Sequence, residues 1–313
     1  MAVLEAEKLD GSAYRLKVTA RAKQLVDHEP LRRIDLGNVA GSPNLSKLKL
    51  AYEGRVALEI RDLRNLAELS ILSVGVSEFP DLSQWPDCPL TELSLSMDEA
   101  PVDLNKLRSC SQLTNFSLST KAREFDLRPL EGLPIAKLAL DVRQLEAIDW
   151  AALARLPKLT DLGVTMPNGV TVDLSGFSTL RDLRISMGDY RTLDLAPLAG
   201  KGLETLDVFG NDNLAEIELQ HIANPSLRAV LVRSRGVKAA SVAGFEVASG
   251  LRNVDLGSTS LESFDVRPLD RLRKINGISV PPGCRLHYDP SMTALDYKKT
   301  SVGLWNLLCD ELV

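Results

Sequence analysis

The sequence predicts an α/β repeat solenoid: a curved stack of short coils with a parallel β-sheet on its concave face and short strands, 3-10 turns or loops on its convex face. Three observations predict it. A hexamer with apolar residues at positions one, four and six recurs, its leading residues mostly 21 to 24 positions apart. An apolar–acidic–apolar triplet followed by a turn returns with the same period. Apolar residues make up 44% of the 313, enough for a packed core, while no run approaches the roughly 18 apolar residues of a membrane span.

Residues 1–30 precede the pattern and read as an N-terminal cap. Val3 to Leu9 and Tyr14 to Val18 flank Asp10-Gly11, the signature of a hairpin, with a degenerate first coil as the alternative. Hexamers then lead from Leu31, Leu45, Leu66, Leu90, Leu113, Ile135, Leu159, Leu180, Leu203, Leu227, Leu251 and Leu272. The units from Leu90 to Leu227 read LTELSL, LTNFSL, IAKLAL, LTDLGV, LRDLRI, LETLDV and LRAVLV. The short first interval of 14 suggests a truncated coil, and the last unit, LRKING, is distorted. Positions four and six, two apart on a strand, face one side. One coil cannot bury its own leucines, so stability comes from its neighbours. Residues 31–278 therefore form a solenoid of about eleven or twelve coils. Beyond it, Pro281-Pro282-Gly283 is a break. Val302, Trp305, Leu308, Cys309 and Leu312 fall at helical spacing after Ser301. Residues 279–313 read as a C-terminal cap with a short helix that covers the last coil.

This periodicity resembles the leucine-rich repeat, L-x-x-L-x-L-x-x-N with a period of 20–29. The segments FDLRPL at Phe125, LDLAPL at Leu193 and FDVRPL at Phe264 are similar to the tails of bacterial internalin-type repeats. The resemblance implies a bacterial source and a protein-binding role. The family's Asn occurs only at Asn211; equivalent sites hold Val74, Asp98, Lys121, Arg143, Pro167 and Gly188. Those turns must satisfy their backbone by other means.

The outward strand positions are the ones free to encode a partner. In the middle of the sheet they are small and polar, with Ser94, Ser117 and Ser119. Towards the C-terminus they carry Arg184, Asp207, Phe209, Leu231 and Arg233, an expected exposed patch of the kind that forms binding hot spots. A second column runs through the tails: Glu59, Asp81, Asp103, Asp126, Asp149, Asp173, Asp194, Glu218, Ser241 and Asp265. Stacked like charges repel. Each carboxylate is expected to accept N–H bonds of its own turn, in preference to holding calcium, which needs several clustered oxygens.

Catalytic chemistry is not visible. His28, His221 and His287 are isolated, and no zinc-protease, nucleophile-elbow, phosphate-loop or dinucleotide motif occurs. The net charge of -5 argues against nucleic acid. Cys88 and Cys110 lie one period apart and are expected as buried thiols, although a disulfide is open. No secretory signal is visible, so the cytoplasm is the expected location. The expected function is a non-enzymatic protein-interaction module, without cofactor or metal, that binds another protein, not a membrane, through the concave sheet and C-terminal repeats. An immunity or antitoxin-like factor masking a toxin is one form of it. An enzyme with a loop-built site is the competing class.

Overall fold

The computed structural model describes residues 2–8, 12–18, 25–27, 31–35, 46–52, 56–59, 66–84, 88–270, 272 and 275–288. The expected C-terminal helix, with Trp305 and Cys309, lies outside the described residues. The chain divides into two compact units, Met1–Leu159 and Thr160–Val313.

In the N-terminal unit, β1 (Ala2–Lys8) and β2 (Ala13–Val18) form the expected antiparallel hairpin. Strands β3 (Leu25–Asp27), β4 (Leu31–Asp35), β5 (Lys47–Tyr52), β6 (Ala57–Glu59), β7 (Glu68–Val76), β8 (Glu92–Met97), β9 (Asn115–Ser119) and β10 (Lys137–Asp141) follow. The parallel sheet runs β3-β5-β7-β8-β9-β10, while β4 joins β1 and β6 in a separate sheet. Leu31 therefore does not lead a strand of the large parallel sheet. Its strand pairs with the tail strand β6, Asp35 opposite Glu59. The preceding sheet strand is β3, whose Leu25 lies opposite Leu50. The short first interval thus separates a tail strand from a strand of the large parallel sheet, and Asp35 is one more rung of the acidic column.

In the C-terminal unit, the strands are β11 (Asp161–Met166), β12 (Asp182–Met187), β13 (Thr205–Phe209), β14 (Glu216–Glu218), β15 (Ala229–Arg233), β16 (Ala239–Ser241), β17 (Asn253–Asp255), β18 (Ser263–Asp265), β19 (Gly277–Ser279) and β20 (Arg285–His287). The parallel sheet runs β11-β12-β13-β15-β17-β19, and the tails pair as β14-β16 and β18-β20. Asn253 lies opposite Gly277, so the last coil leads from Ile275 and reads INGISV. The distorted LRKING is a register three residues early.

One hydrogen-bond device repeats through both units. The carbonyl of position two accepts the N–H groups of positions two and three in the next coil. Thr91 O holds Thr114 and Asn115, Thr160 O holds Arg181 and Asp182, Glu204 O holds Arg228 and Ala229, and Arg252 O holds Asn276 and Gly277. The last pair fixes the Ile275 register independently of the strand pairing.

Behind the strands, the inward residues pack to near-complete burial. Leu183, Leu206 and Val230, aligned across three strands, are 1% exposed or less. The tails close as anticipated. A side-chain oxygen of Asp81, Asp103, Asp126, Asp173, Asp194 and Asp265 accepts the N–H two residues on. Asp149 instead caps the short helix α1 (Trp150–Ala154) through Ala152 N–H. In FDLRPL and FDVRPL, Arg128 and Arg267 close on Asp126 and Asp265 with two nitrogens each. Proline in these segments pre-sets the first turn of a 3-10 helix. These bonds hold the carboxyls of Asp81, Asp126, Asp173 and Asp265 below the ordinary range, through Ser83, Arg128, Ser175 and Arg267 respectively. Glu218 departs from the pattern: its side chain does not cap, and it meets His221 at 2.9 Å.

The missing Asn ladder is replaced in part by other side chains. Asn211 donates to Tyr190 O and accepts Asn213 N–H while fully buried. Elsewhere Thr120 donates to Asp98 O and Thr259 to Leu256 O, so short hydroxyl side chains do part of the work expected of Asn.

Cys88 and Cys110 are free thiols, fully buried, with sulfurs 3.2 Å apart and Cys110 donating. The hydrogen bond to Cys88, together with burial, pushes the Cys110 thiol far above its ordinary value.

Candidate functional site

Parallel pairing stacks equivalent residues of successive coils into columns along the outer strand face. In the C-terminal unit Arg184, Asp207 and Leu231 share one column, and Ser186, Phe209 and Arg233 the next. The sequence suggested that all five patch residues are exposed. Arg184 and Arg233 are exposed, and Phe209 and Leu231 are half-buried. Asp207 is buried at 4%, which corrects the expectation.

The reason is electrostatic. Arg184 Nε donates to Asp207 Oδ2 at 3.0 Å. Arg233 reaches back diagonally and places Nη2 2.7 and 2.9 Å from Oδ1 and Oδ2. Two guanidiniums thus close over one carboxylate and remove it from water. Charge-assisted bonds of this kind are what make a buried carboxylate tolerable. Arg233 also lies over the Phe209 ring, 5.3 Å from its centre, within cation–π range.

A second clamp stands beside the first. Glu204 lies one residue before β13 and takes Arg181 at 3.0 Å and Arg228 at 3.1 Å, one from each neighbouring coil. Both clamps are centred on the coil of β13. The four arginine side chains are 42 to 66% exposed, whereas those of Glu204 and Asp207 are 19% and 6% exposed. Sequence inspection of positions three, five and seven missed the Glu204 clamp, because its residues occupy position two. The signal is the three-residue charge spacing in RDLR at Arg181 and ETLD at Glu204.

The edge of this face holds one apolar residue that the periodicity assigns to the core. Met187 lies opposite the buried Met166, yet is 41% exposed. Its φ is +61° and that of Gly188 is +81°. Two left-handed residues in succession turn the strand exit outward. Such a φ is uncommon for a non-glycine side chain. Ser186 is buried in compensation and donates to Thr165 Oγ1.

In the N-terminal unit, Ser94, Ser117 and Ser119 are half-buried on the strand face. Ser94 aligns with Ser117 across β8 and β9, and Ser119 with Ser96. They form a small polar surface, with Asp141 opposite Ser119 on β10. His221 and Glu218 face each other on a tail at 2.9 Å, and Glu218 lies opposite Ser241 on the neighbouring tail strand.

The backbone arrangement decides the class: parallel strands one period apart, with 3-10 tails between them. The fold is that of a leucine-rich-repeat protein. An internalin from Listeria monocytogenes superimposes with a TM-score of 0.55 at 18% identity, over 88% of this chain and 78% of that one. The functional domain of InlJ from Listeria monocytogenes gives 0.44 at 16% identity, over 85% and 64%. A leucine-rich-repeat protein of Leptospira interrogans gives 0.45 at 13% identity, over 82% and 77%. No protein-family model and no curated protein matches the chain.

Proposed function

We propose that the chain is a protein-interaction module and that its docking surface is the outer strand face of the C-terminal unit. The observation that carries this is the Arg184–Asp207–Arg233 clamp with Phe209 packed against it. Arginine and aromatic side chains dominate binding hot spots, and here they are held in place before any partner arrives. The half-buried Leu231 and the exposed Met187 add apolar area to the same three strands. The repeat fold provides a rigid base for such a surface. The internalin likeness supports the fold on which this reading stands. The residues of this surface are suited to contact and not to covalent chemistry, which favours a binding role over an enzymatic one.

Co-purification from native cells tests this. The full chain should retain one stoichiometric protein partner. The double substitution Phe209→Ala with Leu231→Ala should release it while the thermal melt stays cooperative. Unchanged retention by the double variant would move the docking surface elsewhere.

A further inference from the structure

The geometry points to a partner that presents an acidic segment, carboxylates beside an apolar side chain, to the two arginine clamps of the C-terminal unit. This rests on the strand face being the docking surface, and it names the chemistry that the face selects.

The argument is one of donors and acceptors. An arginine carries five N–H donors in a fixed fork and no acceptor. Arg184 spends Nε on Asp207, and Arg233 spends Nη2. The bonds to Asp207 do not use the other guanidinium nitrogens of these two exposed side chains. In the second clamp Arg181 uses Nη1 and Arg228 uses Nε on Glu204. Both carboxylates, by contrast, are engaged: Asp207 accepts from two arginines, Glu204 accepts from Arg181 and forms an ion pair with Arg228, and each side chain is less than a fifth exposed. Four guanidiniums stand around two covered carboxylates, so an approaching surface meets mainly donors. A neighbouring carboxylate, Asp255, has one oxygen committed to Gly257 N–H. Asp182 is half-buried one residue after Arg181.

Charge assistance roughly doubles the strength of such hydrogen bonds, and the planar fork matches a carboxylate with two parallel bonds. The clamps also fix the arginine rotamers in advance, which removes much of the ordering cost that a free arginine carries on binding. Phe209 and Leu231 lie between the arginine positions and supply an apolar floor. That floor favours a polypeptide with an apolar side chain over a phosphate backbone.

The test uses a random peptide display library panned on the full chain. The peptides recovered should carry Asp or Glu next to a large apolar residue. The consensus peptide is then synthesised beside its Asn or Gln counterpart and titrated by fluorescence polarisation. The amide form should bind about ten- to a hundredfold more weakly, and binding of the acidic form should weaken with salt. Arg184→Gln and Arg228→Gln, each removing an exposed arginine with a single bond to its carboxylate, should weaken the acidic peptide and leave the amide form unchanged. Equal binding of the two peptides, lost on Phe209→Ala with Leu231→Ala, would overturn the acidic preference and keep the docking face. Binding indifferent to all of these substitutions would overturn both readings. Tighter binding of a single-stranded oligothymidylate, lost on the same arginine substitutions, would replace the protein partner with nucleic acid. Failure to enrich any peptide would count against a linear acidic segment.

Discussion

Leu206→Ala probes the packing beneath the proposed docking face. Leu206 is fully buried, with Leu183 and Val230 opposite it on the two flanking strands. The substitution removes three carbons, worth about 0.8 kcal/mol each in transfer. The cavity adds to this, because backbone hydrogen bonds on both sides keep the neighbouring coils from collapsing inward. The expected loss is about 3–5 kcal/mol, the upper part of the range for buried leucines. Thr205, one residue earlier and facing outward, is the control: Thr205→Ala should cost about 0.5 kcal/mol or less. Equilibrium unfolding in urea, followed by circular dichroism, measures both. A loss under about 1 kcal/mol for Leu206→Ala, or equal losses for the two, would refute the inward–outward register.

Asp207→Ala leaves Arg184 and Arg233 without the carboxylate that positions them, so it should weaken partner binding more than it lowers the melting temperature. Asn211→Ala should cost about 1–3 kcal/mol, because Tyr190 O and Asn213 N–H are left without their buried partner; urea unfolding checks it. The lowered carboxyls of Asp81, Asp126, Asp173 and Asp265 bind fewer protons folded than unfolded. Their stabilisation is complete above the ordinary carboxylate value of about 4 and is lost as pH falls through the lower folded values. Thermal melts should therefore drop in that acid range, and Asp126→Asn with Asp265→Asn should shrink the drop. Cys88 and Cys110 should resist iodoacetamide in the folded chain and react after denaturation, which residue-resolved mass spectrometry reads.

The centre of each unit was legible because its hexamers carry buried residues at one, four and six without a competing frame. The ends were not, for a reason visible in the residues. Leu272, Ile275 and Ile278 stand three apart, so the apolar spacing fits two registers, and the strand pairing with the bonds from Arg252 O selects the later one. At the other end LRRIDL satisfies the strand pattern, yet its Asp35 aligns with Glu59 and places it among the tails. The acidic column was readable because an Asp before a turn has a local bonding solution that needs no neighbour. The site was readable only in part. Arg184, Phe209, Leu231 and Arg233 were placed on the outward strand face from their columns, but the burial of Asp207 depends on arginines 23 and 26 positions away. That arrangement is a property of stacked coils and not of any one of them. Met187 escaped the periodicity because its exposure comes from a left-handed backbone.

A photo-crosslinking amino acid placed at Leu231 tests the central claim most directly. The matching control is Val247, half exposed on a 3-10 turn of the same unit. In native cells the probe at Leu231 should yield one discrete protein adduct, and the probe at Val247 should yield none of it. The same adduct from Val247 alone, or equally from both positions, would contradict a docking surface on the strand face.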